Sequence, residues 1–171
     1  MTASHYEIFA DYHQFYLKDD DQSFGDLSAA WTEEATERLL AVAPHVIGIG
    51  TVRNMMVPVS VSIHDSRPQI REEEWDHITA ASLQIDTGRI VIAGCTDYYP
   101  DAVRLEVAPG VYEATVCYSK LESLSADGLE GEDSYHIHIF PGREIAPTVL
   151  KSRKKGEQGG TDNSGAAPLR V

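Results

Sequence analysis

Cysteine is nearly missing from this 171-residue chain: Cys95 and Cys117 are its only two, too few and too far apart for a metal cage. Their pairing stays open at this level. No stretch approaches the roughly 18 consecutive apolar residues that a membrane span needs. The start, Met1-Thr-Ala-Ser-His-Tyr-Glu, has neither a basic segment nor an apolar one, so no secretory leader is visible and reduced thiols in the cytoplasm are expected. Nucleophile and phosphate motifs are missing too. There is no G-x-S-x-G, and the glycine-rich piece Gly48-Ile49-Gly50 sits inside a strand-like run rather than between a strand and a helix. Small residues there point to close backbone packing. No internal repeat is present.

Positive charge is also scarce. Lys and Arg number 14 against 27 Asp and Glu, for a formal net charge of −13. The imbalance is uneven along the chain. Residues 151–171 hold Lys151, Arg153, Lys154, Lys155 and Arg170 with only Glu157 and Asp162, leaving 25 acidic and nine basic residues before them. A field of that sign repels nucleic acid and anionic membranes and speeds association with basic partners. It also serves solubility.

What is plentiful is alternation. Val57, Val59, Val61 and Ile63 interleave with Pro58, Ser60, Ser62 and His64 at a period of two, the mark of a half-buried strand. Val103, Leu105 and Val107 do the same, and Pro109-Gly110 turns the chain into Tyr112, Ala114, Val116 and Tyr118 as a predicted hairpin. A second hairpin is expected where Ala81, Leu83 and Ile85 lead through Asp86-Thr87-Gly88 into Ile90-Val91-Ile92, with Gly88 supplying a bulge. Tyr135, Ile137 and Ile139 make a last run. Residues 5–17 are aromatic and β-prone without a clean face.

One helix is convincing, near residues 32–43. Thr32 caps it, Glu33 and Glu34 complement its dipole, and Leu39, Leu40 and Ala43 precede the stop at Pro44. A weaker helical or irregular piece is expected around 121–130. The fold class is therefore mainly β, an antiparallel β-sandwich or jelly-roll-like barrel with that one helix. Residues 1–150 fit a single domain, and 151–171 read as a disordered basic, glycine-rich tail.

Candidate chemistry is thin. His136 and His138 share a strand face and can meet one metal ion, with Glu144 six residues on, a loose likeness to cupin metal sites. His5, His13, His45, His64 and His77 show no ligand spacing. Cys95 lies in a loop with no base identifiable beside it. Carboxylates cluster at Asp19–Asp21 with Asp26, at Glu72–Glu74 with Asp76, at Asp97 with Asp101, and at Asp127–Asp133. These are solvated loop surroundings, not the apolar pocket a glycosidase acid requires, and none follows a calcium-loop pattern.

Recognition suits these residues better. Asp97-Tyr98-Tyr99-Pro100-Asp101 sets two rings between carboxylates, and Leu27 to Trp31 follows an acidic run. Aromatic anchors inside an acidic rim are what a surface for a basic protein needs. Asp19, Asp20, Asp21, Asp26, Asp97, Tyr98, Tyr99 and Asp101 are the expected contact residues.

Several stretches, taken in order, resemble the competence protein J family of small acidic bacterial proteins. They are Tyr12-His13-Gln14-Phe15, Trp31-Thr32-Glu33-Glu34-Ala35, Arg53-Asn54, and Pro109-Gly110-Val111-Tyr112 leading toward Cys117. The chain also looks like a broader group of bacterial proteins sharing Trp75-Asp76-His77 and Cys95-Thr96-Asp97-Tyr98. The first resemblance implies an inhibitor of a DNA-entry nuclease. The matched pieces look like structural positions, and no nuclease-contact motif carries over to particular residues. The expected function is thus a non-catalytic, cofactor-free acidic module that binds a basic protein such as a nuclease, without contacting nucleic acid or membrane. The other reading is a small-ligand or metal-binding β-barrel built on His136 and His138.

Overall fold

The computed structural model describes residues 3–21 and 25–154. Its strands are β1 (Ser4–Phe9), β2 (Gln14–Asp19), β3 (Leu40–Ala43), β4 (Val46–Gly50), β5 (Met56–Ile63), β6 (His77–Ile85), β7 (Arg89–Gly94), β8 (Val103–Glu106), β9 (Gly110–Ser119), β10 (Ser134–Pro141) and β11 (Thr148–Lys151). The helix α1 covers Glu33–Arg38. Six strands form one sheet in the order β1-β5-β10-β9-β6-β11, and five form the other in the order β3-β4-β2-β7-β8. The second sheet is antiparallel throughout, whereas β5 and β10 in the first run parallel. Two open sheets face each other, and among the described residues no closed barrel forms. Among the described residues no helix is long and apolar enough to cross a membrane.

The alternating runs put their apolar members where period two demands. Val57, Val59, Val61, Val116, Tyr135 and Ile137 point from the six-stranded sheet toward Phe15, Leu17, Ile47, Ile49 and Ile92 of the other, all 2% exposed or less. At about 25 cal/mol per Å² of apolar area removed from water, this shared layer is the main source of stability. Tyr135 joins the layers by an edge-to-face contact with Phe15 of the facing sheet at 6.1 Å, and it meets Tyr118 of its own sheet edge to face at 5.7 Å.

Neither expected hairpin forms. β6 and β7 lie in opposite sheets, and so do β8 and β9. Asp86-Thr87-Gly88 and Val107–Pro109 are corners by which the chain crosses the sandwich, and they are tied together by a bond from the Val107 N–H to the Gly88 carbonyl, 3.0 Å. The first corner is held by Asp19, whose carboxylate accepts from the N–H groups of Asp86 (2.8 Å) and Thr87 (3.2 Å) and from the Thr87 hydroxyl.

The helix is shorter than its pattern. The Thr32 hydroxyl accepts from the Ala35 N–H at 3.1 Å as expected. Leu39 then adopts a left-handed conformation (φ 59°), which ends the helix and sends Leu40–Ala43 into β3. Residues around 121–130 are irregular turns. Lys151 ends a strand, and its ammonium donates to the carbonyls of Glu72 and Trp75. The remainder of the expected tail, from residue 155, lies outside the described residues.

Candidate protein-binding surface

On β2, Phe15 and Leu17 face the core, so Tyr16 and Lys18 emerge on the outer face of the five-stranded sheet. Two segments fold over that face. The first, residues 25–35, lays Leu27 and Trp31 across β3 and β4. A side chain at Gly48 would meet the Trp31 ring at 2.9 Å, and the Trp31 indole N–H donates to Gln14 Oε1 at 2.7 Å. The glycine-rich piece is thus a seat for an aromatic ring, as its small residues suggest. Trp31 anchors its own chain.

The second segment, residues 95–102, folds over β7 and β8. Asp97 holds it at its start by accepting from the Gly94 N–H at 2.7 Å. Tyr99 fastens its middle. Its ring lies 4.4 Å from the Lys18 ammonium and 5.0 Å from the Arg104 guanidinium, and its hydroxyl donates to Asp20 at 2.7 Å. Asp20 also pairs with Arg89 at 2.9 Å and Arg104 at 3.1 Å. Burial works to raise the Asp20 carboxyl, but the hydrogen bonds from Tyr99 and Arg104 and the charges of Arg104 and Arg89 hold it below the usual range. Burial and the bond to Asp20 push the Tyr99 hydroxyl up to about 12.

Between the two segments sit Tyr16 and Cys95. The Cys95 thiol donates to the Asp11 carbonyl at 3.3 Å. Burial raises it further from ionisation, and the charges of Asp11 and Asp97 act in the same direction. Burial also lifts Tyr16 to about 12, with Cys95 and the charge of Asp26 adding to it. Carboxylates from three separate stretches therefore converge on one patch. Burial and these charges disfavour the thiolate, the nucleophilic form of a cysteine.

The eight expected contact residues divide accordingly. Asp19 is 1% exposed and committed to the β6–β7 corner. Asp20 and Tyr99 form the internal support just described. Asp21, Asp26, Asp97, Tyr98 and Asp101 are exposed, Tyr98 at 72%. Asp26 accepts from the Ser28 N–H and hydroxyl, which hold its carboxyl below the ordinary value. Asp11 and Tyr12 lie outside the expected contact residues. Tyr12 is 70% exposed and left-handed (φ 57°), and His13 follows in the same region (φ 58°). Only the resemblance singled out Tyr12-His13, because nothing in residue type signals that backbone turn.

The histidine strand lies on the outer face of the other sheet. His136 contacts Ser60 Oγ at 2.5 Å and Ser134 Oγ at 3.2 Å, and it packs on Trp75 at 4.7 Å. His138 turns instead to His64, with Nδ1 and Nε2 3.0 Å apart. Burial pushes all three imidazoles below their ordinary value. Glu144 is exposed on the connection to β11. Asp19, His45 and Asp86 also gather, with donor atoms within 4.8 Å of one another. There His45 Nδ1 donates to the Gln84 carbonyl, and Asp19 already accepts three hydrogen bonds. That trio braces the corner.

A groove of about 1550 Å³ runs between α1, Trp75–His77 and β11. Glu34, Glu37 and Glu73 are matched there by Lys120, Lys151 and Arg153, so it presents no field of one sign.

No protein-family model matches the chain, and no curated protein does. Among solved structures, the fold is similar to that of ComJ from Bacillus subtilis, described as inhibitor of the DNA degrading activity of NucA. The likeness has a TM-score of 0.61 at 19% identity, over 83% of this chain and 96% of that one. It is also similar to crocagin biosynthetic gene J, with a TM-score of 0.54 at 18% identity over 84% and 100%. At these identities the likeness establishes a shared fold.

Proposed function

We propose that this chain is a non-catalytic acidic module of the cytoplasm that binds and inhibits a basic enzyme acting on nucleic acid. The observation that carries this reading is the exposed Tyr98 ring with the exposed carboxylates of Asp97 and Asp101 on the same loop, beside the Tyr16 and Cys95 patch that the charges of Asp11, Asp26 and Asp97 reach. Burial and the charges of Asp11 and Asp97 disfavour the Cys95 thiolate there. The carboxylates compete with phosphates for the partner's cationic groove, and Tyr98 supplies the desolvated anchor. Asp21 extends the rim. Asp20 and Tyr99 act from below by holding the 95–102 segment in place, and Asp19 takes no part in contact. The fold shared with a nuclease inhibitor supports the reading at the level of architecture.

The test is capture of partners from the source organism's lysate at low and high salt, then assay of the captured enzyme on DNA. A basic nuclease held in stoichiometric amount, released by salt and silenced by added protein bears the reading out. A captured nuclease that cleaves at the same rate with the protein in excess overturns it.

A further inference from the structure

Among the described residues, β1, β11, β3 and β8 end the two sheets. Three of these edges are guarded. β3 has four residues, and the Arg38 side chain already donates to its Leu40 carbonyl at 3.1 Å. β8 is as short, and Arg104 donates to the Ala102 carbonyl at its start at 2.9 Å. β11 shifts register between Val149 and Lys151. Short length, occupied carbonyls and broken register keep a sheet edge from pairing with another chain. β1 has none of these guards. Its six residues contain no Lys, Pro or Gly, and they pair with β5 one for one without a shift.

We propose that β1 pairs antiparallel with β1 of a second copy, about a two-fold axis at Tyr6, and so joins the two six-stranded sheets of a dimer. The strand's own residues select this partner. Val57, Val59 and Val61 point into the core, so Pro58 and Ser60 point outward, and with them their cross-strand neighbours Glu7 and His5. Both are exposed. An acidic and a basic side chain therefore stand two residues apart on one face of a free edge, which is the spacing that complements itself when the strand is turned end for end.

In an antiparallel pair, directly opposed side chains share a face with their Cβ atoms about 4.5–5.5 Å apart. Centring on Tyr6 sets each His5 opposite the partner's Glu7, and symmetry makes that attractive pair twice. Ser4 then stands opposite the partner's Ile8, and the two Tyr6 residues meet at the axis. A slip of one residue would set outward side chains against inward ones. A slip of two centres the pairing on His5 or on Glu7 and puts imidazole opposite imidazole or carboxylate opposite carboxylate. Only the Tyr6 register matches both face and charge. The contact lies on the sheet that does not carry the acidic surface, so it stands apart from the proposed inhibition.

Sedimentation velocity on the untagged full chain, from micromolar to submillimolar concentration, reads the equilibrium. At about 0.15 M salt a Debye length of about 8 Å screens the repulsion between two acidic chains. A reversible monomer–dimer equilibrium is expected, and amides of β1 should gain protection from hydrogen exchange as the dimer forms. His5→Glu sets carboxylate against carboxylate at both pairs and should weaken the dimer about tenfold or more. His5→Glu together with Glu7→His restores both pairs and should return the dissociation constant to that of the parent. Both positions are exposed, so the fold tolerates these changes. A chain that stays monomeric throughout, a dimer indifferent to His5→Glu, or a double variant no tighter than the single one overturns the proposal.

Discussion

Asp133 has no exposed surface, and its two oxygens do different work. One pairs with the Arg53 guanidinium at 2.8 Å, and the other accepts from the Tyr135 hydroxyl at 2.7 Å. That hydroxyl in turn accepts from the Val52 N–H at 3.0 Å. The chain of bonds clamps the loop after β4 to the start of β10. Burial, helped by the Asp133 charge, drives the Tyr135 hydroxyl far above its usual range, so it acts only as a neutral donor. A buried pair of this kind is costly to break from one side, because the surviving charge stays buried without compensation. Arg53→Met should therefore destabilise the fold by about 3–5 kcal/mol. The double change Arg53→Met with Asp133→Leu should recover part of that loss. Denaturant midpoints of the three variants decide it, and a single variant as stable as the parent would remove the clamp. Arg53-Asn54 was visible in the sequence as a resemblance only. Its partner, 80 positions away, was not.

At the scale of elements, alternation told which residues face inward but not which sheet receives them. Val57, Val59, Val61, Tyr135 and Ile137 were legible because period two holds for any strand. The corners at Asp86–Gly88 and Val107–Pro109 carry the residues of hairpin turns, and only the pairing of β7 with β2 and β8 shows that they cross the sandwich. The site was half legible for the same reason. Loop residues Asp97, Tyr98 and Asp101 stayed exposed, whereas Asp19 at the end of β2 and Asp20 just after it are internal struts.

His77 illustrates an element held by a titratable group. Its Nε2 donates to the Arg38 carbonyl at 2.8 Å, so Nδ1 is the acceptor of the Arg153 N–H at 3.1 Å. Burial lowers its value, and the Arg153 charge adds to that against the pull of the Arg38 carbonyl. A histidine depressed in the folded state contributes full stability above its unfolded value of about 6.5, and that contribution declines as pH falls through the folded value. Protonation of Nδ1 also removes the acceptor that holds the chain just after β11. The Arg153 amide should therefore lose protection between pH 7 and pH 5, corrected for intrinsic exchange rates. Protection that stays constant over that interval would show that His77 does not govern the end of β11.

For the whole molecule the question is whether partners respond to the total charge of −13 or to the patch. The two make different demands. Field from the entire surface depends on net charge, while steering into a docked orientation depends on where the carboxylates sit. Asp97→Lys with Asp101→Lys reverses two charges and takes the net from −13 to −9. Glu122→Lys with Glu130→Lys makes the same change at exposed positions on the loop between β9 and β10. Asp97 also accepts from the Gly94 N–H, so Asp101→Lys alone serves as the variant that leaves the loop anchor intact. At about 0.01 M salt the Debye length is about 30 Å, and both doubles feel the loss of bulk field. At 0.1 M it shrinks to about 10 Å, and only charges near the docked partner still count. The patch reading therefore expects the Asp97/Asp101 double to slow association with the captured nuclease about tenfold or more at 0.1 M salt. The Glu122/Glu130 double should stay close to the parent there. Stopped-flow association rates at the two salt concentrations separate the cases. Equal slowing by both doubles at 0.1 M would mean that the acidity acts as a diffuse field and that Asp97, Tyr98 and Asp101 are not the docking surface.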